Sequence, residues 1–362
     1  MIGCSCGAAT HNPMLLVRDA GTSRRRHDHL VIDTHAHVFA PAVEALAKAS
    51  PAYVRWRTAM GAKLGEDFLS KLQGQFDELI PKLGPDRGNL EIRLRDLDAL
   101  GIDIQLLSPS PHQYHYWADE QTADALVDVH NDEIASICAL APDRLVGLGV
   151  VSLQHPQLAA DQLEKAMKTY GLKGVEISTS AHGADFSDPS YEPFWAKAQE
   201  MGATVFIHPM GSSFGSRLDP YYLSNAIGQP LETAIALSHM IFSGVFDRFP
   251  ALKILAAHGG GYLPFYTGRI DHVFHVRPEA RSPLLHPSEY LRKIYFDTVV
   301  HDPLTLRALI NRVGRDQVVI GTDYPYDMGD YDFIAHLEAA EIKDEADRKH
   351  VLGTNAQRLL GI

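Results

Sequence analysis

Cysteine is scarce in this chain: three in 362 residues, two of them in Cys4-Ser5-Cys6. A sparse, odd count excludes a disulfide framework and fits a reducing compartment. Long apolar runs are missing as well. No stretch approaches the ~18 to 20 unbroken apolar residues of a membrane helix, and the first 28 residues lack an apolar core followed by a small-residue cleavage site. Positive charge is the minority sign. Lys and Arg number 33 against 45 Asp and Glu, a formal net charge of -12, and Arg24-Arg25-Arg26 is the main basic run. That balance argues against nucleic acid and membrane surfaces as partners and points to a cytoplasmic metabolic enzyme. Neither a Gly-x-Gly-x-x-Gly nor a P-loop lysine is present. The run Gly259-Gly260-Gly261 is therefore expected to let the backbone pass close to a metal or substrate rather than to cradle a phosphate.

Histidine, by contrast, is plentiful at 19 residues. His35-Ala36-His37 follows the apolar run Leu30-Val31-Ile32 and the pair Asp33-Thr34. Two residues apart on extended chain, both imidazoles face one side, about 7 Å apart along the strand, within reach of one metal ion. Alone this spacing is weak evidence. Three later apolar runs end in the same kind of residue: Val205-Phe206-Ile207 in His208, Ile254-Leu255-Ala256-Ala257 in His258, and Val318-Val319-Ile320-Gly321-Thr322 in Asp323.

Strands are expected at 30-34, 102-107, 146-151, 173-178, 203-207, 253-257, 294-297 and 317-321. Amphipathic helices are expected at 121-141, 157-170, 192-202, 231-246 and 303-313. Continuous apolar strands separated by helices imply a parallel sheet buried on both faces, and eight such units imply closure into a (β/α)8 TIM barrel. In that fold all strand C-termini share one mouth, which would gather the residues just named into one site. Residues 1-28 read as an N-terminal extension that is expected to be poorly ordered, ahead of a single domain over 29-362. The segment at about 38-92 breaks the rhythm and reads as a helical insertion after strand 1, over the mouth.

The motifs Ile32-Asp33-Thr34-His35-Ala36-His37, Ile207-His208-Pro209, Ala257-His258-Gly259-Gly260-Gly261, Gly268-Arg269-Ile270-Asp271 and Gly321-Thr322-Asp323-Tyr324-Pro325 carry a family resemblance. Together they are specific, and they span roughly residues 30 to 362. The chain resembles the amidohydrolase superfamily, in the branch holding 2-amino-3-carboxymuconate-6-semialdehyde decarboxylase. The resemblance implies that His35, His37, His208 and Asp323 bind one divalent metal, with a water as further ligand. It also implies that His258 stands beside them as general acid/base, and that Arg269 reaches a substrate carboxylate from the neighbouring subunit of a homodimer. Three neutral imidazoles and a carboxylate make a catalytic-type zinc site. Relatives acting on resorcylate replace the first His by Glu and tend to use manganese, so His35 favours Zn2+ over Mn2+. A second, bridged metal would need a lysine at the end of strand four, where Glu176-Ile177-Ser178 stands instead.

The implied activity is a metal-dependent decarboxylation, without organic cofactor, of a small unsaturated or aromatic carboxylic acid from aromatic-compound catabolism, with His258 or Asp323 delivering the proton. A hydrolase or hydratase on the same site is the alternative. The chain departs from the branch where a second substrate-binding arginine falls, near Ile80-Pro81-Lys82, and at Met210, where the branch has tryptophan. The aromatics of Tyr114-His115-Tyr116-Trp117 would either stack on a planar substrate or pack the insertion down. Asp297, ending strand seven, is expected to orient a ligand by a hydrogen bond. His112 and His115 match no motif and read as loop-surface residues.

Overall fold

The apolar runs form eight short parallel strands: β1 (Ile32–Val38), β2 (Ile104–Pro109), β3 (Leu145–Gly147), β4 (Gly174–Ile177), β5 (Thr204–Ile207), β6 (Lys253–Ala256), β7 (Ile294–Asp297) and β8 (Val318–Val319). The structure is a computed structural model that describes residues 27–64 and 87–362. The strands pair in chain order as two sheets, β1-β2-β3 and β4-β5-β6-β7-β8. Single parallel bridges, Gly149 to Val175 and Ala36 to Tyr324, join the sheets at both seams. Backbone bonds such as Glu176 N to Gly149 O (2.9 Å) and Asp323 N to His35 O (2.7 Å) reinforce them. The ring is thereby closed into the expected (β/α)8 barrel.

Helices alternate with the strands. The main ones are α1 (Pro41–Ala49), α2 (Pro51–Leu64), α3 (Arg87–Leu100), α4 (Glu120–Leu140), α5 (Pro156–Lys168), α6 (Glu192–Met201), α7 (Gln229–Phe242), α8 (Thr267–Val276), α9 (Pro303–Val313), α10 (Phe333–Ala339) and α11 (Asn355–Leu360). Local chemistry sets their ends. Asp119 and Asp302 cap α4 and α9 by accepting from Thr122 N (2.9 Å) and Thr305 N (2.7 Å). The helix expected over 231-246 stops at Phe242 because Gly244 turns the chain at φ 75°. In the expected insertion at 38-92, α1, α2 and the start of α3 are helical, while 65–86 lies outside the described residues, as does nearly all of the expected 1-28 extension.

Side chains of alternating direction build two apolar layers. Ile32, Leu106, Leu148, Phe206, Leu255 and Val319 fill the barrel interior, with Leu359 and Leu360 of α11 packed against them. Val31, Leu107, Val205, Ile207, Ile254, Phe296 and Val318 belong to the shell between strands and helices. Inward alternation from Phe206 brings His208 to the mouth above the interior layer.

β1 is longer than its apolar run, so His35 and His37 lie within the strand rather than beyond it. Its register against β2 slips between Asp33 and Ala36. Strict alternation from the inward Ile32 would send Thr34 and Ala36 into the barrel. The irregularity reverses the phase, and the two histidines face inward instead. Asp33 stabilises the slip by accepting from His35 N (3.1 Å) and Thr322 N (3.0 Å).

Candidate metal centre

The strand ends bring His35, His37, His208 and Asp323 together. The Nε2 atoms of His35 and His37 lie 3.1 Å apart, and Asp323 Oδ1 is 3.3 Å from the first and 3.2 Å from the second. All four residues are buried, and their ligand atoms lie within 4.8 Å of one another. No other group of this kind is found among the described residues.

The outer faces of the His35 and His37 rings are already engaged. His35 Nδ1 meets Asp297 Oδ2 at 2.6 Å, as expected for Asp297, and His37 Nδ1 meets the Pro109 carbonyl at 2.9 Å. A ring that donates from Nδ1 keeps its Nε2 lone pair, and both Nε2 atoms point to the common centre. Neither ring nitrogen of His208, nor Asp323 Oδ1, has a hydrogen-bond partner. Orphaned buried polar atoms cost ~1 to 3 kcal/mol each, and a shared cation would satisfy this cluster.

Electrostatics agree. Burial works against a charged His35, yet Asp323 and Asp297 hold its pKa up to about 10. Two buried carboxylates thus call for positive charge at this spot, which a divalent ion supplies in place of protons. Burial, with His37, His35 and His258 around it, pushes His208 well below its ordinary value, leaving a neutral ring. Burial alone would raise Asp323, but His35, His258 and His37 hold it well below the usual carboxylate range. The donor set fits a divalent metal.

His258 stands beside this group rather than in it. Its Nε2 is 3.8 Å from Asp323 Oδ2 and its ring centre 5.0 Å from that of His208. The Asp297 carboxylate fixes its main chain by accepting from His258 N (3.0 Å) and Gly259 N (2.9 Å). His258 and Asp323 both adopt left-handed backbone, φ 55° and 59°. Such strain costs ~1 to 3 kcal/mol per residue and persists where the surroundings over-determine it.

Arg269 is exposed on α8, and among the described residues its side chain has no ion pair; Asp271 accepts from Ser288 N (3.0 Å) instead. Met210 is exposed at the start of the β5 loop, and residues 80–82 lie outside the described residues. Gly259-Gly260-Gly261 follows His258 and is hemmed in by neighbouring elements. A Cβ at Gly261 would sit 1.8 Å from Pro230 O, and one at Gly260 2.5 Å from the Phe296 ring, so the run allows close packing against α7 and β7.

The β2 loop packs inward. Trp117 meets Tyr53 (5.7 Å between ring centres) and stacks on Trp56 (5.9 Å), holding α2 down. His115 is buried against Trp117, not on the surface, and burial lowers its pKa to about 4. Sequence reasoning missed two supports of the centre. Arg93 of α3, fully enclosed, donates to His37 O and Gln105 Oε1, both at 2.7 Å, while Gln105 and Thr322 donate to Asp33. Glu176 lies at the end of β4, buried, with Tyr114 Oη donating to its Oε1 at 2.5 Å. A carboxylate inside an apolar strand was the one available signal for it.

A barrel with a buried three-imidazole, one-carboxylate group at its mouth defines a class of metal-dependent enzymes, and the family model described as amidohydrolase matches residues 32–362. The chain belongs to the amidohydrolase family. It is 36% identical over 274 residues to 2-amino-3-carboxymuconate-6-semialdehyde decarboxylase of Dictyostelium discoideum, covering 75% of this chain and 76% of that one. Among solved structures it is similar to 5-carboxyvanillate decarboxylase from Sphingomonas paucimobilis, with a TM-score of 0.77 and 29% identity over 92% of this chain and 100% of the other. A dihydroxybenzoic acid decarboxylase from Polaromonas sp. JS666, solved with manganese and the inhibitor 2-nitroresorcinol, gives a TM-score of 0.73 at 25% identity, covering 92% and 97%.

Proposed function

We propose that this protein is a metal-dependent, cofactor-free decarboxylase of a small unsaturated or aromatic carboxylic acid, working in aromatic-compound catabolism in the cytoplasm. The observation that carries the reading is the convergence of His35, His37, His208 and Asp323 on one point, with His258 close by but outside the cluster. A metal-binding module has no need of a spare acid/base beside the ligands. The decarboxylase relatives give the reaction its direction.

His35, His37, His208 and Asp323 would hold one divalent ion. A neutral-imidazole-rich set suits zinc, while the manganese-bound relative makes manganese the alternative. When bound, the ion supplies Lewis-acid stabilisation of charge developing on substrate oxygen. The chain's residues do the rest. Loss of carbon dioxide breaks a carbon–carbon bond and leaves its electron pair on the substrate carbon, which must then take a proton. We assign that delivery to His258, whose Nε2 is partly exposed and 3.8 Å from Asp323 Oδ2, with Asp323 as the alternative proton carrier. Buried walls around the four ligands exclude bulk water, which strengthens each charge interaction.

Arg269 is assigned to the substrate carboxylate of a neighbouring subunit, where a guanidinium fork binds bidentately. Exposed Tyr262, Phe265 and Tyr266 just ahead of it give α8 an apolar surround suited to a second copy in a homodimer. The test is elemental analysis of the purified protein with carbon dioxide release assayed on aminocarboxymuconate-like and hydroxybenzoate-like acids. One metal per chain with gas evolved is the expected result. Metal without gas would move the reading to a hydrolase or hydratase, and absence of bound metal would refute the site.

A further inference from the structure

We infer that Tyr114 and Glu176 form a buried clamp that positions two of the metal ligands, His208 and His37; this rests on the metal reading of the site. Among the three candidate imidazole ligands, His208 has no outer hydrogen bond: both ring nitrogens lack a protein partner, whereas His35 leans on Asp297 and His37 on the Pro109 carbonyl. Its ring direction must therefore come from its main chain. That main chain is held by His208 N donating to Ile177 O (2.9 Å) and by Tyr114 Oη, 3.2 Å from His208 O.

The same hydroxyl has a single proton, shared between Glu176 Oε1 at 2.5 Å and the His208 carbonyl in a three-centre arrangement, so one phenol, reaching in from the β2 loop, contacts the ends of β4 and β5 at once. The other oxygen, Glu176 Oε2, is buried without a hydrogen bond and lies 3.7 Å from His37 Nδ1. It faces the outer nitrogen of the second ligand, whose N–H is bonded to Pro109 O, and its charge favours that N–H staying on the outer side. Glu176 itself is not one of the four clustered donors, and its Oε1 is engaged by Tyr114. Ser178 N, bonded to Tyr116 Oη (3.2 Å), anchors the loop to the strand beyond. Tyr114 and Tyr116 stack with ring centres 5.4 Å apart, which stiffens the loop that carries the clamp.

Outer partners of metal-binding histidines typically contribute 10- to 100-fold in metal affinity. Tyr114→Phe keeps the ring and its stacking but removes the hydroxyl, and Glu176→Ala removes the other half. Each is expected to weaken binding of Zn2+ and of Mn2+ by roughly 10-fold or more, measured by competition with a chromophoric chelator on metal-free full-length protein. Glu176→Gln keeps an acceptor for Tyr114 but turns an amino group toward the His37 Nδ1 donor, so it is expected to recover only part of the affinity. Melting of the metal-free proteins is the control, since a purely structural role would lower the melting temperature and leave the affinity alone. Unchanged affinity in Tyr114→Phe or in Glu176→Ala overturns the clamp while leaving the metal site intact. A parent protein that binds neither ion overturns the site itself, and the clamp with it.

Discussion

Replacing Asp297 by Asn should disarm the centre without touching a ligand. Asp297 accepts four hydrogen bonds: Oδ2 from His35 Nδ1 (2.6 Å) and His258 N (3.0 Å), Oδ1 from Gly259 N (2.9 Å) and Val299 N (3.1 Å). An amide keeps one oxygen. If that oxygen takes the Oδ1 place, the amino group faces His35 Nδ1 and one backbone donor, His258 N, loses its acceptor. The opposite orientation strands two backbone donors, Gly259 N and Val299 N, at ~1 to 3 kcal/mol each. The first orientation is therefore favoured. An amino group beside Nδ1 obliges that atom to accept, which sends the ring proton to Nε2, the atom 3.3 Å from Asp323 Oδ1. A protonated Nε2 has no lone pair for a cation. Metal affinity should fall by 10- to 100-fold, about 1.4 to 2.7 kcal/mol. Chelator competition on metal-free protein reads this directly. An Asp297→Asn protein that binds metal within twofold of the parent would refute the tautomer argument.

Three further outcomes follow from the same geometry. His258→Ala should retain its metal and lose ~10²- to 10⁴-fold in kcat, and a kcat near that of the parent would remove His258 from the acid/base role. Arg269→Ala should leave the proposed dimer intact by size-exclusion chromatography while raising KM; an unchanged KM would return Arg269 to the solvent. Away from the site, the hydrogen bond between His336 Nδ1 and Asp330 Oδ2 (2.8 Å) raises the histidine's pKa. The stabilisation is then complete below the unfolded value of about 6.5 and is lost as pH rises through the raised folded value. Denaturation midpoints of His336→Gln should therefore fall short of the parent at low pH and converge with it at high pH, and parallel curves would contradict the linkage.

Much of this was legible before any coordinates. His208, His258 and Asp323 end apolar runs, so their place at the mouth follows from the barrel alone, and His35 and His37 share a face by spacing. The phase reversal within β1 was not legible, because it depends on Asp33 catching backbone N–H groups of both β1 and the chain after β8. Nor was the Tyr114–Glu176 pair, whose members stand 62 residues apart and meet only when the β2 loop folds across β4. Arg93 looks like an ordinary charged residue of a polar helix until α3 carries it beneath the mouth. The β2-loop aromatics offered two uses in sequence, and only the packing of Trp117 against Tyr53 and Trp56 chooses between them.

The barrel's closing seam and its candidate metal centre share the same residues. The first strand meets the chain after the last through Asp323 N on His35 O (2.7 Å) and His37 N on Tyr324 O (2.7 Å), so a cation held by His35, His37 and Asp323 would also act as a clasp between the two ends of the ring. Stripping the ion should then be felt first as faster amide hydrogen exchange at Asp323 and His37, while the mid-barrel ladder of β5 and β6 keeps its protection.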